Sequence, residues 1–421
     1  MARPSMKDFT SALSSRRRAR HLHQARARAA VEEAESERRS GEVAVMPSWS
    51  ALRGPFAHAL RWFVATRAAL VVCAIIARHV FAGLRGLSRL TPTGSSWLDV
   101  WAAFDVGWYL RIAAGGYPTI STFNPARQDV YAFFPGLPLM SRWLGALVGG
   151  PYVAGMILAN ASLLVAATLL HAMVRHDFGE AVARRAVRYL FLFPSAFLLS
   201  AMLTEGPFLA LSLAALFLAR RDRWIWAALA AFALGLTRST GVLLVPALLL
   251  EALETRRIDL RVVLGVCAAG LGVGAVMLMN EATAGDPLAF VHIQAAWGAH
   301  LGNPVRSILQ GVFLIDVPRQ LRLTSRVMVG FAIFAIAALA AAHRAGVRRS
   351  WVLFGALLVT APLFRSWYGM PRYVLVAFAL YVGVAKVTET REELDLGLSA
   401  AFAILQGSLF AFWSNGFEFV V

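Results

Sequence analysis

Long, nearly continuous apolar segments are the feature that most constrains this chain. Hydrophobic residues account for 58% of its 421 residues and charged residues for only 15%, and the mean hydropathy is +0.61. Because a membrane-spanning helix needs roughly 20 apolar residues, a chain of this length can supply about ten spans. The composition excludes a water-soluble enzyme and predicts an all-α, polytopic membrane protein.

Eleven apolar segments are predicted to cross the membrane. They are residues 60–84, 152–173, 187–203, 206–220, 224–238, 241–253, 262–280, 327–343, 350–365, 371–386 and 398–415. Residues 83 to 150, between the first two, are too polar and too interrupted by proline and glycine to form an ordinary span. We therefore expect a bundle of about 11 transmembrane helices, with a large first external loop that carries juxtamembrane helices.

The polar residues 1–57 precede the first apolar segment. They are rich in arginine and then acidic from Glu32 to Glu37, and no apolar leader precedes them, so a cleavable signal peptide is not expected. This composition predicts a basic, mostly disordered cytoplasmic tail held near anionic headgroups. The transmembrane domain is expected to extend from residue 58 to residue 421.

The net charge of +17 lies mainly in loops that flank the spans. Every second predicted loop is basic, which places these loops and the N-terminus in the cytoplasm and the other loops outside. Residues 281–326 are basic as well, but long loops follow this rule weakly. The distribution indicates contact with anionic lipid and not with nucleic acid.

Polar and aromatic residues from several predicted outer segments can converge on one leaflet. They include Asp105, Glu205, Arg238, Asp286, His292, Gln294, Trp297 and Arg372. Transporters instead tend to place polar groups and broken helices near the midplane, between repeated halves. We see no inverted repeat in the sequence, so the pattern favours a site at the outer interface.

The segment from Trp101 to Tyr117 carries a carboxylate among aromatic residues. Its spacings place Trp101, Asp105, Trp108 and Ile112 on one face of a predicted helix. An acidic residue on an otherwise apolar face breaks a local rule, and such exceptions tend to mark functional sites. Asp105 is therefore the predicted general base. The alternative is an aspartate that caps the start of a short helix.

Two arginines, Arg238 and Arg372, lie at the ends of spans on the side where basic residues are otherwise sparse. Guanidinium groups bind phosphate through a planar fork of donors, so we expect a lipid phosphate there. The alternative is that both side chains extend to the headgroups. Tyr131 and Phe134, near a proline break, are predicted to form a wall for a sugar or polyprenyl chain, or else part of an aromatic belt.

No cofactor or metal site is expected from the sequence. Cys73 and Cys267 lie inside apolar segments, and His292 and His300 lack the spacing of metal ligands. Arginines alone can stabilise a monophosphate leaving group, so we expect a metal-independent reaction.

Six pieces of the chain, taken in order, resemble a known family. They are FDVGWYLRIAAGGY, YAFFPGLPLM, FLFPSAFLLSAMLTEGPFLALSLAALFLARR, LGLTRSTGVLLVPALLLE, GDPLAFVHIQAAW and MPRYVLVAFALY. Together they resemble the phosphatidylinositol-glycan class V type of mannosyltransferase, which belongs to the GT-C membrane glycosyltransferases. The resemblance covers roughly residues 60 to 415. Where that family usually has a Trp-Asp pair, this chain has Phe104 before Asp105.

The resemblance implies an inverting transfer of mannose, or of another glycosyl residue, from a polyprenyl-phosphate carrier to a hydroxyl of a lipid, glycan or protein. It implies an extracytoplasmic site with Asp105 as the base and with Arg238 and Arg372 on the phosphate. The predicted substrate-binding residues are Trp108, Tyr109, Arg111, Tyr131, Phe134, Glu205, Asp286, His292, Gln294 and Trp297. Frequent Ala and Arg with sparse Lys indicate a GC-rich bacterial genome, so we expect a bacterial cytoplasmic membrane.

Two other functions stay open on the sequence alone. A transporter or flippase would use the arginines to recognise a lipid or polyprenyl-phosphate-sugar headgroup without any bond chemistry. A non-catalytic assembly partner of a cell-envelope complex is the third possibility. Within the transferase interpretation, the residue types do not distinguish mannose from another hexose or from a pentose.

Overall fold

The computed structural model describes residues 49–81, 86, 88–118, 123–255, 259–298, 302–315, 317–365 and 368–417. Most of the predicted tail, residues 1–57, therefore lies outside the described residues. Its described part is already helical, since a 3-10 turn at Trp49–Leu52 leads into the first long helix at Arg53. The helix thus begins before the predicted end of the tail.

The described residues form α-helices that we number in chain order. They are α1 (Arg53–Val80), α2 (Val106–Gly115), α3 (Gly136–Val148), α4 (Pro151–Phe178), α5 (Glu180–Leu192), α6 (Glu205–Ala219), α7 (Trp224–Gly235), α8 (Val245–Thr255), α9 (Leu260–Ala284), α10 (Ala289–His292), α11 (Pro304–Phe313), α12 (Arg322–Arg344), α13 (Arg349–Leu363), α14 (Met370–Val376), α15 (Ala379–Thr388) and α16 (Glu392–Ser414). Short 3-10 segments link several of them, including Ala196–Ser200 before α6 and Ser239–Leu244 before α8.

Helix length and composition make this an all-α, polytopic membrane protein, as predicted. Within the described residues, five helices are long and apolar enough to span a membrane: α1, α4, α9, α12 and α16. The pair α14 and α15 passes the same test together but is bent by 73°, which raises the number to six. The remaining predicted spans coincide with helices that are shorter or interrupted, such as α6, α7 and α13, so the sequence predicted their positions better than their lengths.

The helices α4 and α6 define two ends of the bundle. Gly206, at the start of α6, lies against Ala159 of α4, where an added Cβ would approach the carbonyl oxygen to 2.9 Å. Beyond the other end of α6, Arg220 pairs with Asp177 near the end of α4. The 15 residues of α6 separate these two levels by about 22 Å. We call the level of Glu205 the site end and the level of Asp177 the opposite end.

A large apolar core fixes the positions from which the site is built. It joins α4, α5 and α6 to α13, α14 and α15. Phe193, just after α5, illustrates this packing, because its ring contacts Phe331, Tyr381 and Phe402 with centroids 5.5–5.6 Å apart. The segment between α1 and α4, which was predicted to be external, contains the two helices α2 and α3.

Candidate active site

Arg372 is the centre of a cluster of four charged side chains at the site end. Its guanidinium contacts the carboxylates of Asp105 and Glu205. Arg238 donates from Nη1 to Oε1 of Glu205 at 2.7 Å. The four residues come from the starts of α2, α6 and α14 and from the link after α7. The structure thus brings together three residues that the sequence analysis proposed for catalysis and phosphate binding, along with Glu205.

Asp105 is presented by a turn that is anchored on both sides. The amide of Phe104 donates to the carbonyl of Ser88 at 3.1 Å, and that of Leu90 donates to the carbonyl of Ala102 at 2.9 Å. Phe104 has a φ of 53°, in the left-handed region, which costs a residue with a Cβ about 1–2 kcal/mol. Such strain persists only where the surroundings fix it, and it is found often at functional sites.

The turn at Phe104 contradicts two expectations about Asp105. The predicted helical face is wrong, because Trp101 belongs to a separate 3-10 turn and α2 begins only at Val106. Trp101 instead packs on Phe410, with ring centroids 4.5 Å apart. The capping alternative is wrong as well, since Asp105 occupies the N-cap position of α2 but its side chain makes no capping hydrogen bond. The carboxylate contacts Arg372 instead.

The two carboxylates of the cluster differ in accessibility. The Glu205 side chain is 0% exposed, whereas the Asp105 side chain is 17% exposed. Oε1 of Glu205 accepts from both arginines, and its Oε2 has no hydrogen-bond partner among the described residues. Glu205 therefore fixes the two guanidinium groups and does not present itself to a ligand, in contrast to its predicted role in binding sugar hydroxyls. Asp105 is the carboxylate that a substrate hydroxyl can reach.

Both arginine side chains are mostly buried, 13% exposed for Arg238 and 12% for Arg372, which argues against the alternative of headgroup contact. The Arg238 guanidinium lies over the rings of Tyr373, at 5.1 Å, and Phe208, at 6.0 Å. Arg372 lies on α14, where the helix is broken before α15, and Gly369 with a φ of 71° forms the turn that precedes it. The break and the turn allow α14 to direct Arg372 into the bundle.

Tyr109 joins the cluster to the start of α6. Its hydroxyl lies 3.2 Å from Oγ1 of Thr204, the residue before Glu205. Burial raises the pKa of Tyr109 to about 12, against a smaller opposing effect of the Arg372 guanidinium. The phenol therefore keeps its proton at neutral pH, so Tyr109 supports the site by hydrogen bonding and does not act as a base.

An aromatic wall lies beside the cluster. Trp108 stacks on Phe133 with centroids 5.9 Å apart, and Trp297 meets both rings edge-on at 5.9 and 6.0 Å. Tyr109 also packs edge-on against Phe133, at 5.2 Å, which connects the wall to Arg372. The guanidinium of Arg111 lies over the Trp108 ring, 4.7 Å from its centroid. Four predicted substrate-binding residues are thus placed together: Trp108, Tyr109, Arg111 and Trp297.

The other predicted substrate-binding residues lie elsewhere or are buried. Tyr131 is 1% exposed and donates to the carbonyl of Pro118, and Phe134 packs on Phe290. Tyr131 belongs to the apolar cluster against which Trp108, Phe133 and Trp297 pack, whereas Phe134 belongs to a separate cluster with Phe290. Asp286, His292 and Gln294 form local contacts around α10. His292 pairs with Asp286 at 2.6 Å, and Gln294 donates to the carbonyl of Phe290. His300 lies outside the described residues.

Arg67 is a residue that the sequence analysis missed. It is buried in the middle of α1, where it donates to Oγ of Ser200 at 2.7 Å and to the carbonyl of Ala196 at 2.8 Å. These bonds hold the 3-10 segment that leads to Thr204 and Glu205. A single arginine inside an apolar span is a detectable signal, because buried charge at membrane depth is expensive.

The described residues contain no group of three or more His, Cys, Asp or Glu side chains that could hold a metal ion. In the cluster itself, the positive charge comes from two guanidinium groups, which have the donor geometry for a phosphate. Beside them lies a reachable carboxylate that can accept a proton. This arrangement can bind a phosphorylated substrate and deprotonate a hydroxyl next to it.

No family model and no curated protein matches the chain. Among solved structures, it is similar to ArnT from Cupriavidus metallidurans bound to undecaprenyl phosphate, with 17% identity, 84% of this chain and 69% of that chain covered, and a TM-score of 0.48. It is also similar to an oligosaccharyltransferase from Archaeoglobus fulgidus tethered with an acceptor peptide. The identity is 12%, 86% of this chain and 56% of that chain are covered, and the TM-score is 0.44. It is similar as well to the archaeal oligosaccharyltransferase AglB from the same organism, in complex with an inhibitory peptide and a dolichol-phosphate. Here the identity is 14%, 88% of this chain and 56% of that chain are covered, and the TM-score is 0.42.

The chain thus spans little more than half the length of these oligosaccharyltransferase structures. All three TM-scores lie below 0.5, so the likeness alone assigns neither a fold family nor an activity to this chain. The resemblance to the phosphatidylinositol-glycan class V type stays a prediction from the sequence.

Proposed function

We propose that this protein is a membrane glycosyltransferase of the GT-C type. It would move a glycosyl residue, mannose by the sequence resemblance, from a polyprenyl-phosphate carrier to a hydroxyl of a glycolipid, glycan or protein. The observation that carries the proposal is the contact of Arg372 with both Asp105 and Glu205, at one end of a polytopic bundle. A site that combines a phosphate-binding pair with a reachable carboxylate suits a lipid-linked phosphosugar and an acceptor hydroxyl.

In the proposed reaction, the donor phosphate binds to the guanidinium groups of Arg238 and Arg372. Asp105 accepts the proton of the acceptor hydroxyl, and that oxygen attacks the anomeric carbon. The bond between this carbon and the phosphate oxygen breaks, and its electron pair stays on the phosphate. Attack from the face opposite the leaving group inverts the anomeric configuration. Asp105 then releases its proton to water, and polyprenyl phosphate leaves.

The arginines matter most when the carbon–oxygen bond breaks, because negative charge grows on the phosphate at that moment. Donors that are already fixed in place stabilise this charge without reorganisation. Glu205 holds the two arginines in place, since its buried Oε1 accepts hydrogen bonds from both guanidinium groups. The proposed role of Glu205 is therefore to position the phosphate ligands.

The charge of the loops supports an extracytoplasmic site. The opposite end of the bundle carries basic residues that the sequence analysis assigned to the cytoplasm, among them Arg188, Arg220 and Arg348. By the positive-inside rule, the site end then faces outward. We propose a bacterial cytoplasmic membrane as the location, with the N-terminus inside.

A transfer assay separates this function from transport. The full chain in lipid nanodiscs is incubated with radiolabelled polyprenyl-phosphate-mannose and extracted membrane lipids. We expect a new labelled glycolipid, which is lost in Arg238→Gln and retained in Arg344→Gln, an exposed arginine at the end of α12. If the label stays on the carrier, or if Arg238→Gln forms product as fast as Arg344→Gln, the proposed function is wrong.

A further inference from the structure

A basic cavity lies next to the aromatic wall. It is open, has a volume of about 550 Å³, and is lined by Arg111, Phe123, Asn124, Pro125, Arg127, Gln128 and Asp129. None of these residues belongs to the charged cluster around Arg372. The cavity adjoins the wall through Arg111, whose guanidinium lies over Trp108.

The loop that forms the cavity is held by its own hydrogen bonds. Oδ1 of Asn124 accepts from the amide of Ala126 at 2.9 Å, and the carbonyl of Asn124 accepts from the amide of Arg127 at 3.1 Å. Gln128 donates to the carbonyl of Ala296, next to Trp297, at 3.4 Å. These bonds fix the loop and tie it to the segment that carries the wall.

The cavity has an excess of positive charge. Arg111 and Arg127 both line it, and neither forms a salt bridge among the residues that the structure describes. Asp129 is the carboxylate in the lining, and its Oδ1 already accepts from the amide of Val130 at 2.7 Å. Two guanidinium groups without carboxylate partners, next to polar amides and an aromatic wall, form a site for an anion that also carries hydroxyl groups.

We propose that this cavity binds the phosphate-bearing, hydroxyl-rich headgroup of the acceptor lipid. The identification of the ligand as the acceptor depends on the function proposed above. Arg238 and Arg372 serve the donor phosphate, so a second pair of arginines that does not belong to their cluster serves a second anion. Arg111 and Arg127 bind the phosphate, and Asn124 and Gln128 bind hydroxyl groups.

Native mass spectrometry of the purified full chain in detergent tests this site without requiring activity. The probes are phosphatidylinositol, phosphatidylglycerol and phosphatidylcholine, titrated separately. We expect retention in the order phosphatidylinositol, phosphatidylglycerol, phosphatidylcholine. The double variant Arg111→Gln and Arg127→Gln should weaken phosphatidylinositol binding at least about tenfold, since it removes two charge-assisted contacts.

The matched control is the double variant Arg142→Gln and Arg306→Gln. Both arginines are exposed, on α3 and α11, and neither lines the cavity. The control should bind phosphatidylinositol as the unaltered protein does. Equal losses in the two double variants, or equal retention of phosphatidylcholine and phosphatidylinositol by the unaltered protein, would overturn the proposal.

Competition distinguishes a headgroup site from a simple phosphate site. Soluble inositol phosphate should displace phosphatidylinositol at a lower concentration than inorganic phosphate does. If both compete equally, the hydroxyl-binding part of the proposal is wrong and the cavity is a phosphate site only.

Binding of undecaprenyl phosphate separates this inference from the proposed function. Arg238→Gln should weaken it, and the Arg111→Gln and Arg127→Gln variant should leave it in place. If no transfer activity is found but phosphatidylinositol binding depends on Arg111 and Arg127, the proposed function fails and the cavity stands as a lipid site. If transfer occurs but phosphatidylinositol binding does not depend on Arg111 and Arg127, the proposed function stands and only the proposal for the cavity is wrong.

Discussion

The two ends of the bundle both hold buried carboxylates against guanidinium groups, but they use them differently. At the opposite end, both oxygens of Asp177 accept from Arg220, at 2.7 and 3.0 Å, which ties α4 to α6. Both oxygens of Glu251 are also used, by Arg348. An arginine shared between two carboxylates occurs at both ends, since Arg348 also contacts Glu254 and Arg372 contacts Asp105 and Glu205. At the site end, however, Oε2 of Glu205 has no partner among the described residues.

The difference teaches how to separate a structural tie from a functional site that is made of the same groups. The ties at the opposite end join ends of regular helices and satisfy both carboxylate oxygens. The cluster at the site end depends on irregular backbone, namely the left-handed Phe104 and the broken pair α14 and α15. A cluster that rests on strained backbone, and that keeps the partly exposed carboxylate of Asp105 beside two guanidinium groups, is prepared for a ligand.

Removing a tie should affect stability and not turnover. Asp177→Asn leaves the guanidinium of Arg220 buried without a full counter-charge, which destabilises a protein by about 3–5 kcal/mol. We expect a large fall in the Tm measured in detergent. Turnover per folded molecule should stay within about twofold at low temperature, because the site is far away. Loss of turnover with an unchanged Tm would remove the distinction between the ends.

Weakening the contacts of Arg372, at the centre of the cluster, should instead affect turnover and not stability. Arg372→Lys keeps one charge but cannot bond two carboxylates and a phosphate at once. Loss of one preorganised donor lowers kcat roughly 10²–10³-fold. The measurement is the initial rate of glycolipid formation at saturating donor. Arg220→Lys is the matched variant at the opposite end, and we expect it to lower the Tm and to leave kcat unchanged. If Arg372→Lys and Arg220→Lys lowered kcat equally, the distinction between the two ends would be contradicted.

Glu205→Gln tests whether this buried residue positions the arginines. The side chain keeps its volume but loses the charge that holds both guanidinium groups, so we expect kcat to fall about tenfold. The KM for the donor should rise at the same time, because the phosphate ligands are less ordered. Glu205→Asp, which restores the charge on a shorter side chain, should recover part of the kcat. An unchanged kcat in Glu205→Gln would mean that the arginines are fixed by other contacts.

Removal of divalent metal ions by a chelator should have the smallest effect on the transfer rate. If two guanidinium groups stabilise the leaving phosphate, exhaustive treatment with a chelator should change the transfer rate by less than about twofold. The check is the initial rate before and after chelation, with back-titration of divalent ions. A rate that is abolished and then restored by a divalent ion would show that the arginines are not sufficient.

The sequence predicted the class of the fold and the members of the cluster better than their geometry. Hydropathy locates helices because burial in lipid requires long apolar runs, and each predicted span overlaps a described helix. Arg238 and Arg372 stood out because they lie at span ends on the side that is predicted to lack basic residues, and Asp105 stood out as a carboxylate among aromatic residues. These signals are local in the chain, so a single sequence is enough to see them.

What the sequence could not reveal depends on contacts between distant segments. The left-handed conformation of Phe104 is fixed by pairing with residues 88–90 and by packing on Trp413, so periodicity wrongly predicted one continuous helix from Trp101. The burial of Glu205 depends on the close contact of Gly206 with Ala159. Arg67 was visible as a charge within an apolar span, but its partners at Ala196 and Ser200 were not.

The initial rate of glycosyl transfer by Asp105→Asn tests the central claim most directly. The amide keeps the size of the carboxylate but cannot take the proton of the acceptor, and loss of a general base lowers a rate about 10²–10⁴-fold. Asp222→Asn is the control, because Asp222 is exposed in a turn with a φ of 57° that asparagine tolerates. We predict that Asp105→Asn folds and binds the donor but transfers at least about a hundredfold more slowly. A rate equal to that of Asp222→Asn would contradict the account.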